Sequence, residues 1–323
     1  MKGVLQSGVR AFRKIAGQDT AVERFLRQQY KTVKARTERR YFGENYSIFW
    51  SGSQRDRRIG FYAFGACHLA AIFSCQGPIR KILDGRACIL YAGSVADSRS
   101  DVLLQTLERL PGEWVGPAIE KLKLSPDYFE PRLFEKTIIV PGIEGPEEFP
   151  KTVIFLSIAA DAVRTVYRHR KHGYLVDPGG WWLNRPLDTV LADLSGADWF
   201  RNNFTRAGRM TLDVFTENFS RIIRLLREKT GADIVVFNLP TVEAGNVTHN
   251  YQFVKNPLTA PMREFNLALV ELSRKLNLSI VDVDRILKAN GIASQVDFFH
   301  FPAERYQPVA QETLRVIQEL GII

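Results

Sequence analysis

With 323 residues, 45% hydrophobic and 24% charged, the chain has the composition of a globular protein able to bury a substantial core. Its three cysteines, Cys67, Cys75 and Cys88, are too few for a secreted disulfide framework, and none pairs at metal-ligand spacing. No stretch approaches the roughly 18 apolar residues of a membrane span. Arg10, Arg13 and Lys14 break up the apolar core a signal peptide needs, so a cytoplasmic protein is expected.

The net charge of +9 is concentrated early, where Met1 to Arg58 carries fourteen basic residues against five acidic ones. Val4, Leu5, Val9, Phe12 and Ile15 give the first helix an apolar stripe. Two readings stand for this basic helical N-terminal extension, residues 1–57. It packs on its own domain with a solvated basic face, or it lies on an anionic membrane surface and makes the protein peripheral to a membrane. No nucleic-acid-binding motif accompanies the charge, and no specific nucleic acid binding is expected.

Five short apolar runs follow: Ile59–Phe64, Ala87–Tyr91, Thr152–Ile158, Asp233–Asn238 and Ser279–Val283. They lack alternation, as strands buried on both faces do. Helical spacing marks Asp101–Leu110, Phe215–Lys229, Met262–Leu276 and about Gln307 to Leu320. The pattern predicts an α/β fold over 58–323. It is a doubly wound, flavodoxin-like three-layer sandwich with a central parallel five-stranded sheet. Two insertions, about 111–151 and 164–211, interrupt it and are expected to border the site. The first contains one more predicted strand, Thr137–Val140.

In such folds chemistry sits beyond the carboxyl ends of the strands. The first strand ends in Phe64-Gly65-Ala66-Cys67-His68. A thiol at a strand-to-helix turn gains from free N–H groups and the helix dipole, which favour the thiolate. Near the other end, Asp297 and His300 stand three apart in a predicted loop, where the carboxylate can orient the imidazole as a base. Taken singly, a cysteine such as Cys67 at a strand end is more often core filler, and Asp297 and His300 also read as a surface carboxylate and a buried structural ring.

Glycine-x-nucleophile after strand one, with Asp-x-x-His before the last helix, resembles the first and last blocks of the SGNH (GDSL-type) hydrolases. Gly65-Ala66-Cys67-His68 stands where that family has Gly-Asp-Ser-Leu. Leu90 to Leu103 is similar to its second block, and Val153 to Asp161 to its third. The resemblance implies a divergent branch with Cys67 as nucleophile, similar to Cys-containing acetyltransferase-like relatives of polysaccharide biosynthesis. It further implies oxyanion or substrate contacts from Gly93, Ala96, His68 and Asp161. The third-block asparagine is absent, with Ala160 roughly in its place. Losing one oxyanion donor costs about 10²–10³ in rate.

The expected function is therefore acyl transfer through a Cys67-His300-Asp297 triad. Either an esterase- or thioesterase-like hydrolase or an O-acyltransferase would fit, acting on a polar substrate such as a glycan. No resident cofactor or metal is implied, and acyl-CoA is a candidate co-substrate. The alternative is a non-catalytic binding protein on a decayed hydrolase fold.

Overall fold

The computed structural model describes residues 40–42, 46–49, 59–64, 67–73, 77–83, 88–92, 99–122, 124, 129, 137–139, 146–148, 151–177, 196–241, 259–290, 301 and 305–323. In chain order the strands are β1 (Arg40–Phe42), β2 (Tyr46–Phe49), β3 (Ile59–Phe64), β4 (Cys88–Ala92), β5 (Thr137–Ile139) and β6 (Pro146–Glu148). They continue with β7 (Lys151–Ser157), β8 (Tyr167–His169), β9 (Leu175–Val176), β10 (Phe204–Arg206), β11 (Asp233–Phe237) and β12 (Ser279–Val281). The helices are α1 (Cys67–Phe73), α2 (Pro78–Leu83), α3 (Ser100–Glu108), α4 (Gly112–Leu122) and α5 (Ala159–Val163). After them come α6 (Ala197–Asn203), α7 (Leu212–Thr230), α8 (Thr259–Leu276), α9 (Val283–Ala289) and α10 (Tyr306–Glu319).

The predicted α/β architecture is present, and the main sheet is mostly parallel with helices on both faces. Among the described residues it has seven strands rather than five, in the order β1-β2-β4-β3-β7-β11-β12. The pairings from β4 through β12 are parallel, and β2 and β1 continue the sheet antiparallel beyond β4. Those two strands correct the expected helical extension, of which only 40–42 and 46–49 are described. The strand predicted at Thr137–Val140 exists as β5, but it pairs antiparallel with β6 and not with the main sheet.

The absence of alternation in the central runs has the predicted cause. Along β7, Val153 and Phe155 enter one core while Ile154 and Leu156 enter the other. Successive side chains of a strand point to opposite faces, so a strand sandwiched between helices needs apolar residues at every position. One core holds α1, α2, α9 and α10, with Phe61, Phe73, Phe155 and Phe237 at its centre. The other holds α3, α4, α5, α7 and α8, including Phe215, Phe219, Phe265 and Leu269. Full burial of each such side chain contributes about 1.5–3 kcal/mol.

The region around 111–151 is less of an insertion than its Pro and Gly content suggests, since α4 buries Val115, Ala118 and Leu122 in the second core. The 164–211 segment contributes a separate three-stranded sheet, β10-β8-β9, together with α6. Helix α7 begins at a Thr211 cap, whose side chain accepts the Val214 N–H. It ends at Gly231, where φ of 64° requires the left-handed conformation that glycine adopts without strain. No helix among the described residues is long and apolar enough to cross a membrane.

The chain moves from β3 to its neighbour β4, then crosses back to β7 on the other side of β3. The winding reverses there, and the crevice this leaves at the carboxyl ends is where such sheets bind ligands. Helices α1, α3 and α5 all start at that edge, following β3, β4 and β7.

Candidate active site

Ser100 opens α3, so its N–H is among the donors a helix leaves unpaired at its start. The preceding residue, Arg99, offers no side-chain cap. The acceptor comes instead from another element. Asp161, on α5 directly after β7, receives both the Ser100 N–H (2.8 Å) and the Ser100 Oγ–H (2.7 Å) on its Oδ1. β4 and β7 flank β3 on either side, so the two residues meet across the carboxyl end of the central strand. Both are buried, Ser100 at 2% exposure and Asp161 at 4%.

Neighbouring polar groups hold this pair. Asn218 Nδ2 on α7 donates a long hydrogen bond of 3.4 Å to Ser100 Oγ. Arg99 forms a buried ion pair with Asp101 (2.6 Å) and donates from Nη1 to the Gly208 carbonyl (2.8 Å), which ties the start of α3 to the loop before α7.

Burial raises the Asp161 carboxyl from 3.8 to about 7, because the ionised form loses its hydration. The hydrogen bonds from Ser100 oppose the rise, the Asp101 charge adds to it and the Arg99 charge opposes it, but none outweighs burial. Asp161 Oδ2 is also buried and has no hydrogen-bond partner among the described residues. Asp161 lines a cavity of about 220 Å³ with Arg164, Arg209, Met210, Glu264 and Phe265 among its other walls. Arg164 in turn donates from Nε to Asp177 (2.7 Å), a nearly buried ion pair. The 164–211 segment reaches this cavity through its two ends, at Arg164 and at Arg209, Met210 and Thr211.

The expected cysteine centre is corrected by this arrangement. The nucleophile-and-carboxylate pair that the described residues assemble is Ser100 with Asp161, so the site is centred on serine and not on a Cys67-His300-Asp297 triad. The same correction applies to the reading of the chain as a branch with cysteine in the serine's place. The physical reason lies in burial and topology. Asp161, expected only as a substrate or oxyanion contact, is desolvated beside a hydroxyl that a second strand-to-helix turn presents to it. Cys67 and His68 do begin α1 after β3, but their side chains, like Gly93, Ala96, Asp297 and His300, lie outside the described residues.

His169, at the end of β8, is a packed ring. Tyr174 stacks on it at 4.8 Å, Phe204 meets it edge-on, and its Nδ1 accepts the N–H groups of Lys171 and His172. Burial pushes its pKa down, with the neighbouring His172 and Lys171 acting in the same direction. No group of three or more His, Cys, Asp or Glu gathers at a metal-binding geometry among the described residues.

Sequence reasoning missed Ser100 as the partner of Asp161 and Asn218 as its neighbour. The available signal for Ser100 was the one applied to Cys67, a nucleophilic side chain at a strand-to-helix turn.

No protein-family model matches this chain, and no curated protein matches it. Among solved structures it is similar to a lipolytic protein of the G-D-S-L family from Veillonella parvula. The identity is 10% and the TM-score 0.39, over 81% of this chain and 98% of that one. It is similar to the lipase/acylhydrolase from Enterococcus faecalis at 14% identity and a TM-score of 0.39, over 82% and 96% of the two chains. It is also similar to the acetylxylan esterase Axe2 from Geobacillus stearothermophilus, with 12% identity and a TM-score of 0.40 over 81% and 94%. Likeness this distant carries no chemistry across, which leaves the residues of this chain to supply it.

Proposed function

We propose that this protein is a hydrolase of the esterase type, with Ser100 as nucleophile and Asp161 as its base. The carrying observation is the buried 2.7 Å hydrogen bond from Ser100 Oγ to Asp161 Oδ1. An ordinary carboxylate is too weak a base to take a serine proton near neutrality. A carboxyl with pKa about 7 is matched to the task. As Ser100 Oγ bonds to the acyl carbon, its proton passes to Asp161 and the carbonyl oxygen takes the negative charge. Collapse expels the alcohol, which recovers the proton, and leaves an acyl-serine. Water then attacks that ester while Asp161 takes its proton, and collapse releases the acid as Asp161 returns the proton to Ser100 Oγ. The start of α3 places the positive end of the helix dipole beside these charges. If an alcohol replaces water in the second step, the same acyl-serine serves transfer.

The finer parts of this reading extend it. The five parallel strands follow the flavodoxin-like plan, the substrate is a small-molecule or glycan ester, and acyl-CoA serves as donor where the reaction is transfer. Contact between the basic N-terminus and an anionic membrane surface belongs to the same proposal.

The test is hydrolysis of p-nitrophenyl acetate by the full chain, together with fluorophosphonate labelling mapped by mass spectrometry. Labelling at Ser100 is expected, and Ser100→Ala should lower kcat/KM by about a thousandfold or more. A second reading makes Asp161 a cap for α3, since both Ser100 donors converge on one oxygen. Asp161→Asn separates the two. Asparagine keeps an acceptor for the N–H but cannot take a proton, so the fold should persist while activity falls. Full activity in either variant, or covalent capture at Cys67 in place of Ser100, would sink the serine mechanism.

A further inference from the structure

We propose that a second cleft beside the Asp161 cavity binds an oxyanion, and that this is the anionic group of the substrate. The clause about the substrate rests on the serine-hydrolase reading, whereas the anion site does not. The cleft, about 380 Å³, is lined by Arg164, Thr165, Arg206, Ala207, Gly208 and Arg209. Arg164 and Arg209 also line the Asp161 cavity, so the two spaces adjoin along a shared wall.

The cleft is built where the 164–211 segment leaves the domain and returns to it. Ala207 donates its N–H to the Val166 carbonyl (2.9 Å), and Arg206 pairs with Tyr167 in the β10–β8 register. This lays the outgoing and returning strands side by side and brings their three guanidinium-bearing residues to one wall. Asp177 holds Arg164 through Nε (2.7 Å), which fixes the orientation of that side chain. The Arg99 bond to the Gly208 carbonyl fixes the returning segment to the start of α3.

Thr165 supplies the second, independent sign of a ligand. It is only 4% exposed, it lines the cleft, and its hydroxyl has no hydrogen-bond partner among the described residues. Buried hydroxyls are nearly always paired. An oxyanion in the cleft would accept from the hydroxyl and from the arginine N–H groups together. Guanidinium is suited to this, because its planar fork meets phosphate and carboxylate in two parallel charge-assisted hydrogen bonds. An ester carrying phosphate or carboxylate would thus be anchored by its charge while its acyl group lies in the adjoining cavity next to Asp161.

The experiment is calorimetric titration of inorganic phosphate, and separately malonate, into the full chain at low ionic strength. Saturable binding of at least one is expected, and the preferred anion identifies the oxyanion class. Arg206→Gln combined with Arg209→Gln should weaken it about tenfold or more. Both residues are exposed, so the variant is expected to fold, with circular dichroism as the check. Thr165→Val, which keeps the side-chain shape, should weaken it as well. Absence of saturable binding for both anions overturns the proposal, as does equal affinity in the double variant. Titration needs no turnover, and Ser100→Ala should bind the anion as the native chain does. A failure of the hydrolase reading is thereby told apart from a failure of the anion site.

Discussion

The two faces of the sheet are packed by different rules. Against α1, α2, α9 and α10 the interior is dominated by aromatic rings. Phe155 touches Phe61 edge-on at 5.3 Å, Phe73 at 4.5 Å and Phe237 at 6.2 Å, all fully buried. Against α3, α5 and α7 the interior is just as dry but contains Ser100, Asp161 and Asn218, joined by hydrogen bonds. A polar group taken out of water costs stability unless it is paired, and a carboxylate costs more than a hydroxyl. The first face is therefore organised for stability. The second accepts a desolvated acid, which is also what makes that acid basic enough for chemistry. The difference is testable, because each face should respond to substitution or pH in a way the other does not.

The largest expected effect lies on the aromatic face. Phe155→Ala removes a fully buried ring from three aromatic neighbours and should destabilise the fold by about 3–5 kcal/mol, read from urea denaturation. The activity of the molecules that remain folded should barely change, since the ring lies on the face away from Ser100. A loss of kcat without a loss of stability would erase the division between the faces.

The Asp161 face should instead reveal itself through pH. Its carboxyl titrates at about 7 in the folded protein against an ordinary value of 3.8, so the folded state holds a proton that the unfolded state has released between those limits. Stability therefore falls as pH rises from about 4 to about 7 and is level above that. With roughly three pH units at 1.36 kcal/mol each, the loss approaches about 4 kcal/mol at most. Activity runs the other way, because the base must be ionised, and kcat/KM should climb through the same pH 7. Asp161→Asn should flatten the stability curve over this window. If the variant keeps the native slope, the acid is not the desolvated group described here.

These contrasts also mark what the sequence makes legible. The central strands could be read because two-sided burial leaves a local trace, as in Val153-Ile154-Phe155-Leu156. Helix α7 was placed from its apolar spacing, though begun three residues late at Phe215, because the Thr211 cap precedes the first buried position. β1 and β2 escaped notice because the basic residues around them dominate the local composition. The site was legible only in halves. Asp161 is singled out and the stretch Leu90 to Leu103 resembles a family block, yet Ser100 and Asp161 are 61 positions apart. Their pairing comes from the reversal of winding at β3, and the shifted acidity comes from burial. Neither property belongs to a short stretch of residues. The Cys67 reading followed local rules correctly and still chose the wrong turn of the two.

The smallest effect sharpens the comparison from the other side. Thr313 on α10 is a fully buried polar residue amid the aromatic-face helices, and its hydroxyl donates to the Val309 carbonyl four residues earlier at 2.7 Å. That carbonyl lies in the interior of the same helix, where it also accepts a backbone N–H, so it does not depend on the hydroxyl. Thr313→Val removes donor and acceptor together, replaces them with a methyl of similar size and leaves no group stranded. The expected change is under about 1.5 kcal/mol in denaturation experiments, with no pH dependence. Ser100→Val, by contrast, takes a donor from a buried carboxylate and adds a methyl beside Asn218. It should cost more than Thr313→Val by at least about 1 kcal/mol above pH 7, where Asp161 is ionised, and the excess should shrink towards pH 5. Equal costs at both pH values would mean that the hydroxyl on the Asp161 face is as incidental as the one on α10.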